Sequence, residues 1–270
     1  MSVGSRNPPG WDCHAHVFDA AAVAVPGHYA PPERPLAMLE AVAARHAISH
    51  IVLVQPSVYA TDNSVMLSAL RANPGLHRGV VVIDAGVTDA ELRDMHELGV
   101  RGVRFNMVSP VGNGADMLDA LAPRLRDIGW HVQWYVAPEH LASVAALQAR
   151  HRLVFVLDHV AGLTPAAARD PGSWSSLERV AGAGGWVKLS AWYRLGAVAP
   201  YVDLDDVVAR AYRLFGSHCV FGSDWPHTWF LSEKSDTRPP EYGDLLHALD
   251  RALGDDATRV LRENPTRLYA

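Results

Sequence analysis

Cysteine is almost missing from this 270-residue sequence, which carries only Cys13 and Cys219. Two such residues build neither a disulfide framework nor a thiolate metal cluster, and their scarcity suits a reducing compartment. Both are read as small packed apolar side chains. No run of 18 or more apolar residues occurs, so no segment has the length of a membrane-spanning helix. Met1 to Gly10 lack the apolar core of a secretion signal, and the expected compartment is the cytoplasm. Clustered basic charge is missing too: 24 Lys and Arg lie scattered among 29 Asp and Glu, for a formal net charge of −5. That pattern leaves no electrostatic footprint for nucleic acid or an anionic membrane, so the expected partner is a small-molecule substrate. The sequence carries no signal for an oligomeric state. Repeats and low-complexity linkers are also lacking, and one domain over residues 1–270 is expected.

What is present is 49% hydrophobic and 20% charged content, enough for a large single core. Short apolar runs rich in β-branched and aromatic residues recur: Trp11–Val17, Ile51–Pro56, Gly79–Asp84, Val100–Asn106, His131–Val136, Leu153–His159, Trp186–Ser190 and Cys219–Asp224. Their starts are spaced by about 30 residues, the length of a strand-helix-strand unit. Between them run one-sided apolar stripes at helical spacing, such as Leu118, Leu121, Leu125 and Ile128. Several runs are apolar on both faces, as parallel strands covered by helices must be. Eight units point to an α/β fold, a single-domain (β/α)8 TIM barrel. The rival is an open doubly wound sheet, but no Gly-x-Gly-x-x-Gly follows the first strand.

Chemistry on such a barrel sits at the carboxyl ends of the strands. The first run, Trp11 to Asp19, sets two histidines one residue apart, and period-2 alternation predicts that Asp12, His14 and His16 share one face while Cys13, Ala15 and Val17 share the other. Polar residues end the other runs as well. Gln55 and Ser57 close the second, Arg104 and Asn106 the fourth, and Gln133 and Tyr135 lie on the fifth. Asp158 and His159 close the sixth, Lys188 and Ser190 lead on to Tyr193 and Arg194 after the seventh, and Asp224 and His227 follow the eighth. Taken singly, each has a blander use as a turn cap, a loop ion pair or an exposed side chain. Seven polar strand ends on one face of a barrel describe a site.

These segments resemble the amidohydrolase superfamily, and more narrowly its branch containing 2-pyrone-4,6-dicarboxylate lactonase and the sugar lactonases. The resemblance rests on Asp12 to Asp19, Gln55-Pro56-Ser57, Thr61-Asp62-Asn63, Gly102 to Asn106, Asp158-His159, Phe221 to His227 and Glu263 to Tyr269, and it covers nearly the whole chain. It implies a hydrolase that opens a cyclic ester, with Asp224 as the base for water and His14, His16 and His159 as partners that polarise the carbonyl. It also implies substrate binding by Tyr29, Ser57, Arg104, Tyr135, Arg194 and His227.

Metal-dependent superfamily members add a Lys or Glu on the fourth strand and a histidine on the fifth, where this chain has Arg104, Gln133 and Tyr135. A guanidinium has no lone pair for a metal. No cofactor is therefore favoured, and a single Zn or Mn ion on His14, His16, His159 and Asp224 is the alternative, in a metal-dependent hydrolase or decarboxylase. A barrel that binds a ligand without turning it over is the third reading.

The branch pattern also places arginines in the loops after Asn106 and His159. Residues 107–114 and 160–164 contain none here, so the expected substrate is a monocarboxylated or neutral lactone with an apolar portion near Trp134, Trp192, Trp225 or Trp229. The polar segment from Ser232 to Pro240 is expected to form a loop over the barrel mouth.

Overall fold

The computed structural model describes residues 8–26, 29–108, 114–232 and 238–270. Its strands are β1 Gly10–Ala15, β2 Ile48–Val54, β3 Arg78–Val81, β4 Val100–Asn106, β5 His131–Tyr135, β6 Phe155–Leu157, β7 Trp186–Ser190 and β8 Cys219–Gly222, each parallel to its sequence neighbour. Between and after them lie α1 Leu36–Ala44, α2 Ser64–Ala72, α3 Asp89–Glu97, α4 Met117–Ile128, α5 Leu141–His151, α6 Pro171–Gly182, α7 Asp205–Phe215, α8 Trp229–Ser232, α9 Tyr242–Leu253 and α10 Asn264–Tyr269. Backbone bonds just past β8 bring the two ends of the sheet together: Asp224 N donates to His14 O and His16 N to Trp225 O, both at 2.8 Å. The result is a TIM barrel. No described helix is long and apolar enough to cross a membrane.

Alternation along the strands sorts side chains between two cores. Ile51, Leu53, Val103, Phe105, Val132, Trp134, Phe155, Leu157, Val187, Leu189 and Phe221 face the helices, in one cluster with Leu39, Leu121, Leu177 and Leu249. Val52, Val54, Val80, Val156, Trp186 and Val220 face inward, where Tyr269 from α10 stacks on Trp11 and meets His131 edge-on. Trp11 and His131 sit at the amino ends of β1 and β5, so this aromatic group closes the barrel opposite the site. Both cysteines are free and fully buried.

The expected runs agree with β4 and β7 residue for residue, and the others drift by a few positions. Leu153–His159 shrinks to Phe155–Leu157 because the chain leaves the ladder for a left-handed turn, with φ of 50°, 50° and 57° at His159, Val160 and Ala161. Non-glycine residues are rare there, and such a conformation costs of order 1–3 kcal/mol per residue unless the surroundings impose it. Ala191 after β7 and Asp224 and His227 after β8 add three more, at 51°, 58° and 67°, so six of the ten non-glycine residues with positive φ among the described residues stand at the carboxyl ends of β6, β7 and β8.

The first strand departs from the expected alternation. Its register against β2 shifts between Asp12 and Ala15, so one extra residue stands on β1 and the faces change over at Cys13 and His14. Cys13 lies in the inner core, whereas Asp12 turns to the outer layer and meets Tyr242 on α9. Asp12 therefore does not converge on the site with His14 and His16. It accepts bonds from His14 N, Ser223 N, Ser223 Oγ and Tyr242 Oη at 3.1, 2.9, 2.6 and 2.9 Å, stitching β1 to the end of β8. Gly222 makes that seam possible, since a Cβ there would come within 2.5 Å of the His14 Cβ.

Candidate active site

Above the apolar layer, the inward positions of the middle strands are polar and dry. Arg104 on β4, Gln133 on β5, Asp158 just after β6 and Lys188 on β7 are all buried. Buried charges have to be paired, and these are. Asp158 Oδ2 accepts from Arg104 Nε at 3.3 Å and Gln133 Nε2 at 3.0 Å, while Oδ1 accepts from His14 Nδ1 at 3.2 Å. Lys188 Nζ donates to Gln133 Oε1 at 2.6 Å and Cys13 O at 2.8 Å, and lies 3.8 Å from Asp158 Oδ1. Burial by itself would raise the Asp158 carboxyl, but His14, Lys188 and Arg104 hold it well below the usual range. Burial lowers Lys188 to about 8, against the pull of Asp158.

Asp224 is the second buried carboxylate. Tyr193 Oη and Arg194 Nε donate to its Oδ2 at 2.5 and 2.6 Å, and its Oδ1 lies 3.1 Å from His16 Nε2 and 3.5 Å from His14 Nε2. Burial would raise this carboxyl as well, yet Arg194, His159 and His16 bring it well below its ordinary value.

Their partners fix the histidine tautomers. A carboxylate and a carbonyl only accept, so His14 Nδ1 carries its proton toward Asp158, and His16 Nδ1 carries its proton toward Val54 O at 2.7 Å. The Nε2 of His14, which has no bonded partner, then turns its lone pair toward Asp224, whereas His16 meets an acceptor at each nitrogen, its Nε2 lying 3.1 Å from Asp224 Oδ1. His159 differs. Its Nδ1 lies 2.9 Å from Ser190 Oγ, a hydroxyl that can donate, so its Nε2 is the one that can keep a proton, and that atom has no partner. Burial lowers His159 to about 3 and His227 to about 4, and His14 falls well below 6.5 for the same reason, so these rings stay neutral.

A small cavity of about 180 Å³ opens beside this cluster, lined by His16, Tyr29, Pro56, Ser57, Arg104, Asn106, Val108, Tyr135, Arg194, Thr228 and Trp229. Of the expected binding residues, Tyr29, Ser57, Arg104, Tyr135 and Arg194 reach its wall. His227 does not, because it is packed edge-on against Tyr193 at 5.6 Å. Trp134, Trp192 and Trp225 are buried in the core, which leaves Trp229 as the expected tryptophan that faces the cavity. Arg104 turns out to be partly committed, with Nε on Asp158 and Nη1 3.4 Å from Gln55 O.

Tyr193 and Thr228 were not among the expected site residues, although Tyr193 grips Asp224 and Thr228 Oγ1 accepts from Arg194 Nη2. The only sequence signal for Tyr193 is its place beside Arg194 at a strand end. Of the expected mouth loop Ser232–Pro240, residues 233–237 lie outside the described residues, as do residues 109–113 of the arginine-free loop after β4.

The buried neutral histidines make stability depend on pH. His131, also buried, falls to about 3, as does His159, and His227 falls to about 4, against 6.5 in the unfolded chain. Below pH 6.5 the unfolded chain takes protons that the folded one refuses, so stability falls with acid until the folded values are reached. Each ring contributes up to ~1.4 kcal/mol per pH unit in that window. Asp12 works the other way, since burial raises its carboxyl. The melting temperature should fall continuously from pH 6.5 to 4.5, and a flat profile would show that these rings can take a proton in place.

Residues 11–270 match the amidohydrolase family, and the chain belongs to that family. It is 33% identical to the 4-sulfomuconolactone hydrolase of Rhizobium radiobacter over 96% of this chain and 89% of that one. It is 27% identical to the 2-pyrone-4,6-dicarboxylate hydrolase of Comamonas testosteroni over 96% and 89%. Among solved structures, a Pseudomonas putida protein named for 2-pyrone-4,6-dicarboxylic acid hydrolysis superposes with a TM-score of 0.85 at 27% identity, over 98% of each chain.

Metal ions are common in this superfamily. Ligand atoms of His14, His16 and Asp224 lie within 4.8 Å of one another, as do those of His14, Asp158 and His159, and the unpartnered Nε2 of His14 is an acceptor that a cation would satisfy. On β4 and β5 the places of further ligands are taken by Arg104 and Gln133, which are bonded to Asp158.

Proposed function

We propose that this chain hydrolyses a small lactone bearing one anionic group, with Asp224 as the base and no metal required. The observation that carries the reading is the Asp224 carboxylate, buried directly behind His16 and Arg194, two residues that line a ring-sized cavity whose charged lining groups are Arg104 and Arg194. The names of the Rhizobium and Comamonas relatives support a lactone as the substrate class.

Water placed against Asp224 Oδ1 and the bare Nε2 of His14 donates to both, which leaves its lone pair for the ring carbonyl. Asp224 takes the proton as the carbon–oxygen bond forms. The tetrahedral oxygen needs donors. Neutral His14 cannot supply one, since its proton is committed to Asp158, and both nitrogens of His16 already face acceptors, Val54 O and Asp224 Oδ1. The role expected of three histidines therefore falls to His159, whose ring stays neutral and keeps a proton for Nε2. Collapse breaks the ring carbon–oxygen bond, and Asp224 returns its proton to the leaving oxygen to give a hydroxy acid.

Asp224 is a weak base while Arg194 and Tyr193 hold it. The charges also argue against a resident ion, because Arg104, Arg194 and Lys188 already exceed Asp158 and Asp224 by one. Were a divalent ion bound by His14, His16 and Asp224, it would supply Lewis-acid activation of water or carbonyl. Metal analysis of the purified protein, followed by lactone hydrolysis before and after chelation, decides between the two; activity lost to chelator and restored by Zn or Mn would overturn the metal-free reading.

The same surplus of one positive charge limits the substrate to one anion. Arg104→Met should weaken the productive complex with a monocarboxylated lactone by about 2–5 kcal/mol, the range for truncating one partner of a buried charge pair. A neutral lactone should lose far less. 2-Pyrone-4,6-dicarboxylate should be a poor substrate, because Arg194, the other cation on the cavity wall, is already paired with Asp224 and leaves the second carboxylate desolvated without a free partner. Initial rates in a pH-indicator assay check all three, and efficient turnover of the dicarboxylate would defeat the charge argument.

A further inference from the structure

Between the segment after β7 and the segment after β8 lies a second cavity, of about 540 Å³, on the same face of the barrel. Its lining is largely apolar, with Ala197, Val198, Tyr201, Phe230, Pro239 and Pro240 prominent. Trp229 lines this cavity and the smaller one alike, and Tyr193, which also lines it, carries the hydroxyl bonded to Asp224. The charged groups around it are engaged: Arg238 pairs with Glu241, and Asp244 Oδ2 accepts from Glu241 N at 3.1 Å. Val198 and Trp229 stay 74% and 41% exposed, although both are apolar and stand on a wall of this cavity.

Size separates the two spaces. Pockets for organic ligands usually measure ~300–1,000 Å³. The smaller cavity, at about 180 Å³, is below that range and suits one small ring, whereas the second lies within it. We infer that the second cavity is a subsite for an apolar substituent on the substrate ring, an alkyl or aryl chain that leaves the catalytic cavity past Trp229. The inference rests on the lactone reading for the identity of the ring, while the subsite itself is defined by shape and lining. It makes the natural substrate amphiphilic, with an anionic group on the Arg104 side and an apolar tail toward Val198 and Phe230.

The test uses ligands that cannot be hydrolysed, so that binding is read apart from turnover. Cyclohexanecarboxylate and trans-4-pentylcyclohexanecarboxylate are titrated into the full-length protein by calorimetry. Since one methylene in a well-formed apolar pocket is worth roughly 10-fold or more, the pentyl chain should tighten binding at least ~10-fold. Val198→Glu sets a charge on an exposed position of the lining without disturbing the core, and it should reduce the advantage of the chain to less than about threefold. Trp229→Ala should reduce it as well. Equal affinities of the two acids for the wild-type protein, or an advantage that survives Val198→Glu, would overturn the subsite. Differential binding without hydrolysis of any lactone would instead remove the lactone reading and leave the subsite standing.

Discussion

Asp224→Asn should lower kcat for lactone hydrolysis by about 10²–10⁴-fold, the usual contribution of a positioned general base. An amide has nearly the same shape but takes no proton at neutral pH. Binding of an anionic lactone stays within a few-fold or tightens, because the substitution frees Arg194 from the carboxylate that it holds at 2.6 Å. That pairing of lost turnover with retained affinity is what distinguishes a base from a structural carboxylate, whose loss would harm both. The measurement is kcat in a pH-indicator assay beside a Kd from calorimetry with the same lactone. Turnover within threefold of wild type would remove Asp224 from the mechanism.

Asp158→Ala should cost about 3–5 kcal/mol of stability, the range for removing one member of a buried ion pair. The carboxylate serves Arg104, Gln133 and His14 through direct bonds and faces Lys188 at 3.8 Å, all in the barrel interior. Removing it strands two buried cations. For a chain of this size each kcal/mol moves the melting temperature by roughly 2–4 °C, so a drop on the order of 10 °C is expected. Adding Lys188→Met should recover part of it, since that removes one of the stranded charges, and a double-mutant cycle isolates the coupling. A melting temperature unchanged by Asp158→Ala would show that water reaches this layer. Activity should also fall, because the His14 ring loses the acceptor that fixes its tautomer.

The barrel was legible because its signals are local. A run of apolar residues every thirty or so positions, and helices with one apolar stripe, report on burial that every strand and helix must satisfy by itself. His14, His16, His159 and Asp224 stood at strand ends on the same grounds, and they do gather at one end of the barrel. The structure sets Arg104 and Lys188 on the inner faces of β4 and β7, with Val103, Phe105, Val187 and Leu189 on the outer ones.

What the chain could not reveal depends on residues far apart in it. The bulge in β1 follows from the fit of β1 between β2 and the end of β8, so Asp12, expected beside the two histidines, goes instead to Ser223 and Tyr242, more than 200 positions away. Arg104 reads from sequence as a ligand for substrate, but its Nε reaches Asp158 across 54 positions. Arg194 reads from the resemblance as a substrate-binding residue and Tyr193 only as its neighbour at a strand end, yet both hold the carboxylate of Asp224. The sequence by itself determined that His14, His16, His159 and Asp224 stand at strand ends of a barrel, because burial and backbone periodicity act residue by residue. Only the tertiary structure decided which charge meets which, because in a dry interior a few tenths of a nanometre separate a paired carboxylate from a free one.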